Sequence, residues 1–145
     1  METDTLIKFE KEKTLSKKSI TKAINILWVD DEIEFLKPHI IYLKQNGYKV
    51  NAVNNGLDAI HEISEQQYDI IFMDENMPGL SGIETISRIK EINSKIPVVM
   101  ITKNESERVM KEAINGHVED YLVKPVSLTQ IFVSIHKILN NNKSV

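Results

Sequence analysis

IIFMDENMPGLSG, residues 70–82, joins an apolar run to an acidic residue. Four apolar residues, 70–73, lead directly to Asp74, and Pro78 and Gly79 follow shortly after it. A continuous apolar run of this kind is typical of a strand that is covered on both faces. The stretch therefore predicts a buried parallel strand that carries a carboxylate at its end.

Strand-like and helix-like segments alternate on both sides of this stretch. The predicted strands are residues 25–29, 48–53, 70–73, 97–101 and 121–123. The predicted helices are residues 33–47, 56–67, 81–92, 104–116 and 127–140. This alternation predicts right-handed crossovers and a doubly wound α/β fold, a five-stranded parallel sheet with five helices on its two faces.

Local signals place the starts of several helices. Pro38 is tolerated in the first helix only if that helix begins near Ile33 or Glu34, so that the ring falls in or near the first turn. Capping boxes at Ser81–Glu84 and Ser127–Gln130 predict the starts of the third and fifth helices.

Residue spacing also predicts how two of these elements are placed. Residues 48–53 alternate between apolar and polar types, which favours a position near the edge of the sheet. In the second helix, the spacing of Leu57, Ile60 and Ile63 places these three residues on one face.

Composition excludes several classes of protein. The 145 residues suit one domain, and the absence of cysteine excludes disulfides and thiolate metal sites while permitting a reducing cytosol. The net charge of -3 argues against direct binding of nucleic acid. No apolar stretch approaches about 20 residues, and the N-terminus lacks a signal peptide, so we predict a cytoplasmic protein without a membrane span.

The chain divides into three parts of unequal character. Residues 1–24 have weak periodicity and hold six Lys and four acidic residues, so we interpret them as an N-terminal appendage. Residues 25–141 carry the alternating pattern and form the predicted domain. Residues 142–145 are interpreted as a frayed terminus.

The predicted topology gathers polar residues at one end of the sheet. In parallel sheets of this kind, the ligand site lies beyond the carboxyl ends of the strands. Taken singly, each polar residue there has an ordinary explanation, such as a helix cap or a turn. Their joint occurrence at equivalent strand ends indicates a site. They are Asp30, Asp31, Asp74, Thr102 and Lys124.

The chemistry of this set indicates phosphoryl transfer. Three converging carboxylates raise one another's pKa values, and a hard divalent cation such as Mg²⁺ relieves their repulsion. An aspartate such as Asp74 can attack phosphorus and form an aspartyl phosphate. The Lys124 ammonium and the Thr102 hydroxyl can then contact phosphoryl oxygens.

At these residues the chain resembles the receiver domains of two-component response regulators. The resemblance covers roughly residues 25–140 and rests on the motifs WVDDE, IIFMDENMPGLSG, VVMIT and DYLVKP, which occur in the right order on the right elements. It implies a flavodoxin-like fold with strand order 2-1-3-4-5. It also implies phosphorylation of Asp74 by a histidine kinase or phosphotransfer protein.

The resemblance further implies a metal site. Asp31 and Asp74 would bind Mg²⁺ (or Mn²⁺) directly, together with the backbone carbonyl of Asn76. Asp30 would act mostly through water.

The same resemblance implies a conformational switch. Thr102 and Lys124 would contact the phosphoryl group, and the Lys124-Pro125 peptide bond would be cis. Thr102 and Tyr121 would be the paired switch residues that change the surface formed by the fourth helix, the fifth strand and the fifth helix. Such a domain promotes its own phosphorylation and dephosphorylation but is not a turnover enzyme.

Two positions depart from the family pattern. Lys103 follows Thr102 where relatives usually have a small residue, which bears on the access and lifetime of the phosphoryl group. His117 and Val118 stand where many relatives have Gly-Ala before the Asp-Tyr pair, so the partner contact on that face does not transfer.

A narrower resemblance concerns the possible partners. WVDDEIEFLKPHI, MDENMPGLSG and VVMITKNE are similar to the receivers of Por-type regulators of type IX secretion in Bacteroidetes, which continue into a helical segment and an alkaline-phosphatase-like domain. This chain ends before either, so it is part of a longer protein with an output domain or a stand-alone receiver with a separate effector. A phosphorylation-dependent homodimer also stays open.

Two alternative functions stay open at this point. A phosphorylation-independent docking receiver is kept because of Lys103. A haloacid-dehalogenase-type phosphohydrolase also uses an Asp nucleophile, a Thr or Ser and a Lys. However, that nucleophile ends the first strand in an Asp-x-Asp motif, whereas here Asp74 ends the third and precedes Glu75-Asn76.

Overall fold

The computed structural model describes residues 22–103 and 118–143 of the chain. Within them, five parallel strands form one sheet in the order β2-β1-β3-β4-β5. This confirms the predicted strand order and fold class. The strands are β1 (Asn25–Val29), β2 (Lys49–Val53), β3 (Ile70–Asp74), β4 (Val98–Thr102) and β5 (Asp120–Val123).

The described part of the chain contains four α-helices and one 3-10 helix. The α-helices are α1 (Lys37–Gln45), α2 (Gly56–Glu65), α3 (Gly82–Ile92) and α4 (Leu128–Lys143), and the 3-10 helix is Ile33–Leu36. The predicted helix at 104–116 lies outside the described residues, and so do His117 and most of the predicted appendage.

The first helix begins later than predicted. Residues 33–36 form the 3-10 helix, and the α-helix starts at Lys37, so Pro38 lies in its first turn. Proline has no N–H, and the first turn of an α-helix is where an N–H needs no partner within the helix. A start at residue 33 would instead place the ring against the preceding turn. The prediction for Pro38 was right, and the predicted start was wrong.

The two capping boxes are formed as predicted. The Ser81 side chain accepts from the backbone N–H of Glu84, whose carboxylate accepts from the backbone N–H of Ser81. Ser127 and Gln130 make the same reciprocal pair before α4, at 2.9 and 3.2 Å. These contacts satisfy N–H groups that the helices themselves leave without partners.

The sheet separates two hydrophobic clusters. Residues Leu27 and Val29 of β1 point to the cluster under α2 and α3, whereas Ile26 and Trp28 point to the cluster under α1 and α4. All residues of β3 and β4 are buried, as expected for central parallel strands. Strand β2 is an edge strand, as its alternating sequence predicted.

The three residues predicted to share one face of α2 differ in their burial. Leu57 is 64% exposed, whereas Gly56, Ala59 and Ile63 are buried. A β-carbon on Gly56 would lie 2.2 Å from the Thr85 hydroxyl oxygen, so the start of α2 packs directly against α3. This close approach turns Leu57 away from the core.

A second glycine sets the geometry beside Asp74. A β-carbon on Gly82 would lie 2.3 Å from the carbonyl oxygen of Asp74 and 2.8 Å from the α-carbon of Glu75. The Glu75 carboxylate also accepts a hydrogen bond of 2.9 Å from the backbone N–H of Ile83. The start of α3 is thus held closely against the end of β3, which is where Asp74 leaves the sheet.

Candidate functional site

Three aspartates converge at the carboxyl end of the sheet. Asp30 and Asp31 directly follow β1, and Asp74 is the last residue of β3, which pairs with β1. Each of the three offers a carboxylate oxygen, and these oxygens lie within 4.8 Å of one another. Asp30 and Asp74 are buried, whereas Asp31 is exposed. The structure therefore brings together the three predicted acids and leaves one side of the group open.

Two hydrogen bonds fix the position of Asp30, the buried acid that directly follows β1. The backbone N–H of Asp30 donates to the Val53 carbonyl at 3.1 Å, which extends the pairing of β1 with β2. Its side chain accepts a hydrogen bond of 2.8 Å from the backbone N–H of Glu32. These contacts close the turn that presents Asp31 toward solvent.

Lys124 reaches the same group of acids from the end of β5. Its ammonium nitrogen lies 2.9 Å from Asp30 Oδ2 and 3.4 Å from Asp74 Oδ1. Its backbone N–H donates to the Thr102 carbonyl at 2.9 Å, which continues the β4–β5 pairing. The peptide bond between Lys124 and Pro125 is cis.

The charges of these groups lie close enough to change one another's pKa values. Burial, the Asp30 charge and a hydrogen bond with Asp31 raise the pKa of Asp74, Lys124 lowers it, and the net result is a pKa of about 7. Burial alone would lower the pKa of Lys124, but its contacts with Asp30 and Asp74 outweigh burial and raise it. The site therefore combines three carboxylates with one firmly protonated lysine, and a further positive charge would relieve the remaining repulsion.

The hydroxyl predicted at the end of β4 is fully buried. Thr102 has 0% exposure, and its Oγ1 accepts a hydrogen bond of 3.3 Å from the side-chain amide of Asn76. This Asn76 contact was not predicted, because the sequence suggested a role only for its backbone carbonyl. The two residues are 26 positions apart, so no local pattern could indicate the bond.

Tyr121 lies on the strand next to Thr102. In the β4–β5 register, Thr102 is paired with Val123 and Met100 with Tyr121. Side chains two positions apart share a face of a strand, so Thr102 and Tyr121 project from the same face of the sheet. The Tyr121 ring is half-buried and packs against the cluster under α2 and α3.

Lys103 makes an ion pair at the rim of the site. Its ammonium lies 3.2 Å from the carboxylate of Glu32, and the two side chains are 66% and 43% exposed. The pair joins the residue after Asp31 to the residue after Thr102. Sequence reasoning identified Lys103 as unusual but did not predict its partner.

Within residues 22–103 and 118–143, the helices lack the length and the apolar character that a membrane-spanning helix needs.

Comparison with known proteins agrees with this geometry. The family model of the response regulator receiver domain matches residues 26–136. Transcriptional regulatory protein ZraR of Escherichia coli K12 is 33% identical over 122 residues, which are 84% of this chain and 28% of that protein. Transcriptional regulatory protein ResD of Bacillus subtilis is 32% identical over 119 residues, which are 82% of this chain and 49% of that protein.

A solved structure shows the same fold. The CheY-like response regulator receiver domain protein from Methanospirillum hungatei superposes with a TM-score of 0.80 at 21% identity, covering 86% of this chain and 100% of that one.

The chain spans half or less of the length of the two regulators, so those proteins contain regions that it does not match. The match of the family model over most of the chain shows that it belongs to the response regulator receiver domains, the signalling domains of two-component systems.

Proposed function

We propose that this receiver is a phosphorylation-dependent switch that accepts a phosphoryl group on Asp74. One observation carries the proposal: Asp74 ends the central strand within 3.4 Å of the Lys124 ammonium and within 4.8 Å of oxygens from Asp30 and Asp31. A nucleophilic carboxylate, a cation and further acidic ligands are the groups that phosphoryl transfer needs. The donor would be a histidine kinase or a phosphotransfer protein.

The donor set fits a hard divalent cation. Asp31 and Asp74 would hold Mg²⁺ (or Mn²⁺) directly with the backbone carbonyl of Asn76, and Asp30 mostly through water, since this cation prefers oxygen ligands and retains several waters. When bound, the cation neutralises negative charge on the carboxylates and on the incoming phosphoryl oxygens. The exposure of Asp31 leaves solvent access for such an ion.

The remaining residues have distinct tasks in this proposal. The Asp74 carboxylate attacks phosphorus, and the bond from phosphorus to the donor breaks as the new P–O bond forms. Lys124 contacts one phosphoryl oxygen as a point charge, and its buried position strengthens that contact. The Thr102 hydroxyl donates to another phosphoryl oxygen, a role distinct from its acceptor role toward the Asn76 amide.

The proposed output is a change of surface. Movement of the Thr102 hydroxyl toward the phosphoryl group would vacate space on the face that it shares with Tyr121. The half-buried Tyr121 ring could then turn inward. This would change the surface formed by β5, α4 and the predicted helix at 104–116.

Intact-mass spectrometry tests the acceptor. Acetyl phosphate with Mg²⁺ should add one phosphoryl group to the wild-type protein and none to Asp74→Asn. Asp58→Asn, which changes an exposed aspartate on α2, is the matched control and should be modified like wild type. A full adduct on Asp74→Asn would disprove the assignment, and an unmodified wild-type protein would favour the phosphorylation-independent docking receiver.

Several wider statements stay proposals. A downstream effector or a C-terminal output domain would receive the signal, because the matched regulators are longer than this chain. The division into an appendage at 1–24, a receiver at 25–141 and a frayed end at 142–145 stays a prediction. The Por-type resemblance, the homodimer and the cytoplasmic location also stay predictions.

A further inference from the structure

His39 connects α1 to the loop that follows Lys124. Its Nε2 atom lies 2.7 Å from the carbonyl oxygen of Val126, across 87 residues of sequence. A carbonyl oxygen can only accept a hydrogen bond, so Nε2 carries the proton and donates it. Since Val126 is two residues from Lys124, this bond holds the segment that carries the ammonium of the site.

Among the described residues, the other hydrogen bonds of this loop lie at its two ends, and the Val126 side chain packs against the cluster under α1 and α4. At one end, the backbone N–H of Lys124 donates to the Thr102 carbonyl at 2.9 Å. At the other end, Ser127 and Gln130 form the capping box of α4. The His39 bond therefore acts in the middle of the loop, where neither the sheet nor the helix cap fixes the backbone.

Packing alone does not enclose this loop. A cavity of about 470 Å³ is lined by residues that include His39, Lys124, Pro125 and Val126. An open cavity offers no atoms to resist movement on that side, whereas a close-packed interior would. A specific hydrogen bond therefore has more influence on the loop position here than it would have in a filled core.

The His39 ring depends on the same bond. Its Nδ1 atom is buried and has no hydrogen-bond partner among residues 22–103 and 118–143. The ring also meets Trp28 edge-on, with 6.3 Å between the ring centres. The bond to Val126 is thus the polar contact that orients the ring, and the Trp28 contact supports it from the core.

From these contacts we infer that His39 is a positioning residue for Lys124. It holds the 124–126 segment so that the ammonium stays within reach of Asp30 and Asp74, and hence of a phosphoryl group on Asp74. This inference rests on the proposed function, because it assigns Lys124 to the phosphoryl group. His39 itself contacts neither acid and takes no part in the chemistry.

Two binding measurements distinguish a role of His39 in positioning Lys124 from a role in supporting the fold. Beryllofluoride, a phosphoryl mimic, is titrated in saturating Mg²⁺ and followed by NMR, and Mg²⁺ is titrated alone. His39→Leu should weaken beryllofluoride binding about fivefold or more, as expected for loss of one hydrogen bond. It should not weaken Mg²⁺ binding, because the three aspartates are unchanged and a displaced ammonium competes less with the ion.

Further substitutions at position 39 and matched control variants make the test more specific. His39→Gln can place an amide N–H near the position of Nε2 and should restore beryllofluoride affinity, whereas the shorter His39→Asn should not. His61→Leu makes the same change at an exposed histidine on α2 and should bind both probes like wild type. In a Lys124→Ala background, His39→Leu should have no further effect on beryllofluoride.

Several results would overturn the inference. Equal loss of Mg²⁺ and beryllofluoride affinity in His39→Leu would mean that His39 only supports the fold. Unchanged affinity for both ligands would mean that His39 does not position Lys124. If His39→Leu does not fold, the comparison of Gln with Asn decides, and equal affinity of these two variants rejects positioning. If wild type itself does not bind beryllofluoride, the proposed function fails instead.

Discussion

Gly82 lies so close to Asp74 that a β-carbon on the glycine would be 2.3 Å from the Asp74 carbonyl oxygen. This oxygen belongs to the backbone, so a side chain at position 82 cannot be accommodated by a rotamer change. The first residue of α3 and the last residue of β3 must move apart instead. The sequence at Gly82 therefore controls the position of the proposed phosphoacceptor.

Gly82→Ala should reduce both stability and phosphorylation. We expect the free energy of unfolding to fall by about 1–3 kcal/mol, the usual cost of overpacking. Acetyl phosphate should also modify the protein more slowly, because Asp74 shifts. Gly79→Ala is the control: its φ of +78° makes alanine strained, but nothing lies within 4 Å of a β-carbon there. Normal phosphorylation of Gly82→Ala would contradict the expected displacement of Asp74.

The raised pKa of Asp74 predicts a pH-dependent stability in the absence of metal. The unfolded chain releases this proton near its ordinary pKa of about 4, whereas the folded protein holds it up to about 7. Between these values the folded state binds more protons, so its free energy of unfolding falls as pH rises. The slope from this group is on the order of 1 kcal/mol per pH unit.

Urea denaturation with a chelator measures this dependence at pH 5 and pH 8. Asp74→Asn cannot ionise at this position, whereas wild type loses stability as pH rises. The stability of Asp74→Asn relative to wild type should therefore be greater at pH 8 than at pH 5. A constant difference between the two proteins across this range would show that Asp74 titrates normally.

Mg²⁺ should stabilise the wild-type protein against heat. The three converging carboxylates repel one another, and an ion that binds only the folded state raises its stability by mass action. We expect millimolar Mg²⁺ to raise the melting temperature by several degrees, on the order of 2–8 °C for a gain of about 1 kcal/mol or more. Asp31→Ala should lose most of this response, while Asp58→Asn should retain it. A full response in Asp31→Ala would place the ion elsewhere.

Thr102 should couple the phosphoryl group to Tyr121. Beryllofluoride should shift NMR signals of the Tyr121 ring in wild type but not in Thr102→Ala, because the variant lacks the hydroxyl that moves. The hydrogen bond at Thr102 and the ion pair at Lys124 could together supply roughly 2–5 kcal/mol, enough to change which conformation dominates. Thr85→Ala alters another buried threonine, on α3, and should respond like wild type. The same Tyr121 shifts in Thr102→Ala would rule out this coupling.

Local features of the fold were predictable from the sequence. The five strands, the two capping boxes and the convergence of the acids were predicted because each depends on neighbouring residues or on the rule that parallel strands end together. The start of α1 was wrong because the helical pattern continues through residues 33–36, and only the ring of Pro38 places the start of the α-helix.

Contacts between distant residues were not predictable in this way. The helical period places Leu57 on one face with Ile60 and Ile63, but the contact of Gly56 with Thr85 turns Leu57 away from the core. The bonds of His39 and of Asn76 join residues 87 and 26 positions apart, and neither leaves a local pattern. Such contacts form only when the whole sheet has assembled, so no short stretch of the sequence indicates them.

In the ion pair of Lys103 and Glu32, the effect on stability and the effect on the site can change separately, whereas in a buried pair they would change together. The two side chains are 66% and 43% exposed, so substituting them should change the free energy of unfolding by no more than about 1 kcal/mol. Yet Lys103 follows Thr102 and Glu32 follows Asp31, so both lie beside the proposed phosphoryl site. If Asp74 carries a phosphoryl group as proposed, substitutions at these two surface positions should change the lifetime of that group while the protein retains its fold.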